Sequence, residues 1–147
     1  VASLVGSEMC IRDSNNIISK NSDIGTLGNK ITKDDFINKS IVKVITKDNI
    51  EKKRISRAKK FLRKCKHPKK NVYGHIGIYQ FKTSILKKFV NLRQSKNEIK
   101  HRLEQLRAIE NGINIDVVYS KNKSFGIDTV EDYVEIKKIM EYKIKKL

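Results

Sequence analysis

The hydrophobic positions of this chain come in short periodic segments, and the period switches between two and about 3.6 residues along its length. Val72 to Phe81 (VYGHIGIYQF) is rich in Ile, Tyr and Val and reads as the clearest strand. Alternation places His75, Gly77 and Tyr79 on one face and Ile76, Ile78 and Gln80 on the other. Ser40 to Ile45 is β-branched and apolar apart from Lys43, and predicts a second strand; Asp48-Asn49 supplies a turn and Ile50 to Ser56 a returning strand. Ile24 to Ile31, interrupted by Gly25 and Gly28, is a weak strand at most, and Asp34-Asp35-Phe36 reads as a helical turn. Ile113 to Tyr119 predicts a further strand. The helical period governs the intervening segments. Thr83 or Ser84 caps a helix to about Val90, with Ile85, Leu86, Phe89 and Val90 as its stripe. A second helix is predicted from Asn97 to Glu110 on Ile99, Leu103, Leu106 and Ile109, stopped by Asn111-Gly112. A last one follows Asp128-Thr129, with Tyr133, Ile136, Met140 and Ile144 on one face. Residues 57–71, which hold the chain's one proline, Pro68, read as a loop or a short helix ending before it. Strands alternating with helices predict an α/β fold with helices packed on a sheet.

The first fourteen residues stand apart. Arg12 is their sole basic residue, against 33 in the whole chain, and no basic region precedes an apolar core as in a signal peptide. The string GSEMCIRDS resembles a translated sequencing adapter. Residues 1–14 are therefore read as a non-native or disordered tail, and 15–147 as one unit whose native protein extends further N-terminally.

Composition adds a competing picture. Net charge is +17, and a basic balance attracts nucleic acid, membrane surfaces or anionic small molecules. The lysines are spread over the chain together with many Ile and Asn, as codon bias in an AT-rich genome would give. The basic stretch 57–71 is the best candidate for an RNA or ribosome contact, yet Phe61 is its sole aromatic. No apolar run is long enough to span a membrane. Two cysteines, Cys10 and Cys65, lack metal-ligand spacing and fit a reducing, cytoplasmic setting. Cys65, between Lys64 and Lys66, reads as an inert surface thiol.

Few residues invite chemistry by position alone. Asp128 sits after a strand and loop and before a helix, where a carboxylate can face a cleft and bind Mg2+, or simply organise the helix start. Glu104 and Gln105 flank the apolar stripe of their helix, where they either reach a pocket at the sheet's rim or lie in solvent. Arg107 can pair with Glu104. His75 can donate to a substrate oxygen or be a satisfied, partly buried histidine. Arg57 can clamp a carboxylate or stand exposed among lysines. No Walker loop, paired metal histidines or nucleophile-base arrangement is visible.

Several blocks, in order, resemble one family. Asn38 to Ile45 (NKSIVKVI) is similar to an NPNxVKVV segment, Ser56-Arg57 to an SR pair, and His75 to Tyr79 to an HxGIY strand. Ser95, Glu98 and Leu103-Glu104-Gln105-Leu106-Arg107 are similar to S-x-x-E followed by LEQLR, Glu110-Asn111-Gly112 to ENG, and Gly126 to Asp132 to GVDTxED. Over residues 23–141 the chain thus resembles the C-terminal half of the 3-deoxy-manno-octulosonate cytidylyltransferases. The resemblance implies a Rossmann-like nucleotidyltransferase fold, here truncated, with helices on a mixed sheet. It implies transfer of CMP from CTP to the acidic sugar 3-deoxy-manno-octulosonate (Kdo), giving CMP-Kdo and pyrophosphate for lipopolysaccharide, in a cytoplasmic enzyme that is commonly a homodimer. It implies Mg2+ as cofactor with Asp128 as catalytic metal ligand, and a Kdo pocket lined by Arg57, His75, Tyr79, Glu104 and Gln105. Ala58-Lys59-Lys60 replaces the usual proline-containing turn and His101 a usual Glu, so another acidic sugar, of the sialic-acid type, is an alternative. Without the family's CTP-binding half, the chain is expected to be inactive alone.

Overall fold

The computed structural model describes residues 22–65 and 70–121, with residues 130, 131, 133, 134, 137, 138 and 141 of a C-terminal helical stretch. Asp128, its neighbours in 122–129, Pro68, Cys10 and the segment 1–14 lie outside the described residues.

Five strands form one mixed sheet: β1 (Ile24–Asn29), β2 (Lys43–Thr46), β3 (Ile55–Leu62), β4 (Val72–Phe81) and β5 (Ile115–Tyr119). Their order is β1-β4-β2-β3-β5, and β5 returns to β1, so the sheet closes on itself. Closure leaves no long edge open. The β1–β5 pair is parallel, from Ile24 opposite Ile115 to Gly28 opposite Tyr119, and every other pairing is antiparallel. Among the described residues, the short helices α1 (Ile50–Lys53), α2 (Thr83–Val90), α3 (Lys96–His101) and α4 (Gln105–Glu110) accompany the sheet. The class is α/β, as the pattern predicts. Among the described residues no helix is long and apolar enough to cross a membrane.

The interior face of the sheet and the α3–α4 segment share one core. Ile24, Val44, Ile50, Phe61, Tyr73, Leu103, Ala108 and Val117 belong to it, and Ile85 and Phe89 of α2 pack against it. Leu27 and Ile76 form a second cluster on the opposite face, with Ile78 and Val118. Gly28 is needed where β1, β5 and α1 converge: a Cβ there would meet Val117 Cγ1 at 2.9 Å and Ile50 Cδ1 at 3.3 Å. β4 carries a bulge, since Thr26 pairs with Tyr79 but Leu27 with Ile76. The two extra residues, Gly77 and Ile78, keep His75 and Tyr79 on the same face, in agreement with the predicted alternation.

Several local expectations are corrected. The returning strand from Ile50 begins as a helical turn, because Asn49 caps it: its side chain accepts from Lys52 N at 2.9 Å. The strand proper then runs from Ile55 to Leu62 through the stretch expected to be a loop or short helix. Its inward residues are Ser56, Ala58 and Phe61, and a register shift opposite Ile45–Thr46 puts both Lys59 and Lys60 outside. The predicted strand at Ser40 starts at Lys43. Lys82 rather than Thr83 or Ser84 holds the N-cap of α2, without a side-chain bond.

The single helix over Asn97–Glu110 is two helices. A capping box of Ser95 and Glu98 opens α3, and Arg102 closes it in the left-handed region (φ 53°, ψ 52°). The break turns Leu103 inward, 4% exposed, and leaves Ile99 62% exposed. Arg107 pairs with Glu98, not Glu104, through Nε at 2.8 Å and through Nη2. Its guanidinium also lies 4.9 Å from the Phe89 ring centre. Cys65 is a buried thiol, not a surface one; its backbone N–H donates to Phe36 O at 3.0 Å.

Candidate functional site

The bulged strand β4 sets the first part of the site. His75 and Tyr79, on one side of the strand, lie with ring centres 5.4 Å apart, and Phe61 meets His75 edge-on at 5.0 Å. The aromatic series continues from Tyr79 to Phe81 and from Phe81 to Phe89. Thr26, on the neighbouring strand β1, places its Oγ 2.9 Å from His75 Nε2. Burial pushes the His75 pKa down to about 4, so the ring is neutral at pH 7. Burial and then the charge of Glu104 push Tyr79 well above the ordinary tyrosine value, so its hydroxyl keeps its proton.

The break between α3 and α4 supplies the second part. Glu104 is exposed at the N-cap of α4, and its charge is felt at Tyr79. Gln105, the first residue of α4, is buried. The Glu98–Arg107 pair fixes this segment: Glu98 is 3% exposed, and Arg107 holds its carboxyl below the usual range. His75 and Tyr79, expected together, lie side by side, and the charge of Glu104, with Gln105 adjoining it in the chain, reaches Tyr79. A neutral imidazole, a protonated phenol and a carboxylate offer both donors and acceptors, which suits a polyhydroxylated ligand.

Arg57 is placed elsewhere. It stands opposite Asp116 in the β3–β5 ladder, and its Nε donates to Asp116 Oδ1 at 2.6 Å. Ser22 Oγ donates to the other oxygen of the same carboxylate. The neighbours Ala58, Ile115 and Val117 belong to the interior core, so Arg57 and Asp116 point to the opposite face from His75 and Tyr79. Asp128, the expected metal ligand, lies outside the described residues. Among the described residues no group of three or more His, Cys, Asp or Glu side chains could hold a metal ion, and Asp116 is engaged as above.

A hollow of about 560 Å³ opens beyond the carboxyl ends of the parallel strands β1 and β5, lined by Asn29, Lys30, Thr32, Lys33, Tyr119 and Lys121 among others. That is where α/β sheets commonly receive ligands, and three lysines make it attractive to anions. The RNA reading of residues 57–71 loses its stacking residue, because Phe61 is 2% exposed in the core.

Thr26, Asp116 and the pairing of Arg107 with Glu98 are neighbours of the candidate residues that the sequence does not announce. The S-x-x-E spacing of Ser95 and Glu98 is a visible capping signal. Thr26 and Asp116 carry no signal, because their partners are 49 and 59 residues away.

A family model described as Cytidylyltransferase matches residues 8–123. That range begins inside the segment set aside above and ends before Asp128. A 3-deoxy-manno-octulosonate cytidylyltransferase of Thermodesulfovibrio yellowstonii is 46% identical over 122 residues, covering 78% of this chain and 47% of the relative. Those of Bartonella bacilliformis (81% and 49% covered) and Brucella ovis (76% and 45%) are 40% and 38% identical. The chain thus spans about half the length of these relatives. Among solved structures, a CMP:2-keto-3-deoxy-manno-octonic acid synthetase complexed with CTP superposes with a TM-score of 0.74 at 25% identity, covering 93% of this chain and 56% of that one.

Proposed function

On the premise that this chain belongs to the cytidylyltransferase family, we propose that it forms the sugar-binding side of an enzyme that transfers CMP from CTP to Kdo. The reaction releases pyrophosphate and makes CMP-Kdo for lipopolysaccharide in the cytoplasm. The observation that supports the proposal is the pairing of His75 and Tyr79 on one face of β4, with the charge of Glu104, from a second family-like motif, reaching Tyr79. Kdo is rich in hydroxyls, and this trio supplies neutral and charged hydrogen-bonding partners for them.

In the proposed reaction the anomeric hydroxyl of the sugar attacks the α-phosphorus of CTP. A new O–P bond forms, the bond to pyrophosphate breaks, and the hydroxyl proton is lost. The task of this chain's residues is to hold the sugar so that its hydroxyl is aimed and its freedom already restricted. Glu104 and Gln105 engage hydroxyls, and Tyr79 donates from a hydroxyl that stays protonated. Arg57, on the opposite face of the sheet and paired with Asp116, is left out of this pocket. The basic hollow at the end of β1 and β5 draws in the anionic substrates. Mg2+, with Asp128 as its ligand, and a homodimer belong to the proposal on family resemblance alone.

Steady-state pyrophosphate release, measured on the protein that carries this chain together with its CTP-binding half, tests the proposal. Glu104 is exposed, so Glu104→Ala should fold normally. It should raise the KM for Kdo about tenfold or more, as expected for loss of a charged hydrogen bond, with the KM for CTP unchanged. Equal changes for both substrates would remove Glu104 from the sugar site.

A further inference from the structure

The hydrogen bonds around Thr26 fix which nitrogen of His75 carries a proton. A hydroxyl has one hydrogen to give. Thr26 Oγ lies 2.8 Å from the carbonyl oxygen of Ile78 and 3.2 Å from that of Ile76, and carbonyl oxygens only accept. The Thr26 proton is therefore committed to a carbonyl on β4, at the bulge. The remaining partner is His75 Nε2, at 2.9 Å. Since Thr26 Oγ has no second proton, it accepts here, and Nε2 must carry the hydrogen. The neutral ring then has no proton on Nδ1.

We infer that Thr26 is a positioning residue that locks His75 in the Nε2–H tautomer, so that the ring meets a sugar hydroxyl at Nδ1 as an acceptor. This reverses the sequence-based expectation that His75 donates to a substrate oxygen. It rests on the reading that His75 lines the sugar pocket. It also assigns a chemical preference: a hydroxyl facing Nδ1 is bound, whereas a carboxylate, ether or keto oxygen at that position finds no donor and is disfavoured. The device depends on three elements meeting at one atom. These are the β-branched hydroxyl of β1, the bulge that turns two carbonyls toward it, and the imidazole on the same strand as the bulge.

Nitrogen-15 labelling of the histidines in the full chain, with long-range proton–nitrogen correlation, reads the tautomer directly. The chain has three histidines, and His75→Gln identifies the signal. Nε2 of His75 should be pyrrole-like and Nδ1 pyridine-like at pH 7. A protonated Nδ1, or two nitrogens averaged between tautomers, would overturn the inference. Thr26→Ser keeps the hydroxyl and should keep the tautomer. Thr26→Val should lose it and raise the KM for the sugar about tenfold, the loss of one buried hydrogen bond. Should the valine variant not fold, the wild type and the serine variant still decide the tautomer. Adding Kdo should move the Nδ1 resonance; bound sugar with Nδ1 unmoved would overturn the acceptor role. Kdo-dependent pyrophosphate release from CTP is followed in the protein that carries this chain together with its CTP-binding half. Its absence beside an intact Nε2–H tautomer would count against the sugar-transfer reading and leave the Thr26–His75 assignment standing.

Discussion

Lys43 occupies a place where a strand ordinarily buries an aliphatic side chain, and it is fully enclosed. Its Nζ donates to the carbonyls of Asn38, of Ile41 at 2.7 Å and of Arg63 at 3.0 Å, so it ties the turn before β2 to the end of β3. Burial lowers its pKa, and the charge of Asp35 opposes that change. Lys43→Met keeps the volume but leaves three carbonyls without this donor. It should destabilise the protein by about 3 kcal/mol in urea unfolding. His75 makes a different statement at the same scale. Its folded pKa, about 4, lies below the unfolded value of 6.5, so between those values the unfolded state binds more protons. The stabilisation is present above pH 6.5 and is lost as pH falls toward 4. His75→Gln should flatten that part of the stability–pH curve, by up to about 3 kcal/mol across the window. A curve of unchanged slope would show that the ring is not held neutral by burial.

At the scale of elements, the break between α3 and α4 matters most, because it exposes Glu104 while sinking Leu103 into the core. The buried Glu98–Arg107 pair holds the two helices in this arrangement. Glu98→Gln removes one charge of the pair and leaves Arg107 uncompensated. It should destabilise by about 3 kcal/mol in chemical denaturation and weaken sugar binding more than CTP binding. Nothing in the period of Ile99, Leu103, Leu106 and Ile109 announces the break. It is made by a left-handed Arg102 and by an ion pair across it, where a glycine would have signalled a stop. β3 was hidden for another reason: Arg57, Lys59 and Lys60 stand among its outward positions and the inward ones, Ser56, Ala58 and Phe61, include only one large apolar residue, so the period does not stand out. β4 was legible because Ile, Tyr and Val alternate cleanly around His75 and Tyr79, and its bulge preserves the faces. The His75–Tyr79 half of the candidate site could be read for the same reason. The Arg57–Asp116 pairing could not, since it forms only when β3 and β5 meet.

For the whole molecule, closure of the sheet separates two faces. One carries the shared core, His75, Tyr79 and the α3–α4 segment, and the other carries Arg57, Asp116 and the Leu27–Ile76 cluster. The family match and the superposed synthetase give this arrangement a chemical context. The most direct measurement is identification of the nucleotide sugar formed when the full chain, in the protein that carries it, is given CTP and Mg2+ with Kdo or with a sialic acid. CMP-Kdo and stoichiometric pyrophosphate are expected, with little product from the sialic acid. CMP-sialate in preference to CMP-Kdo, or no sugar-dependent pyrophosphate with either, would contradict it.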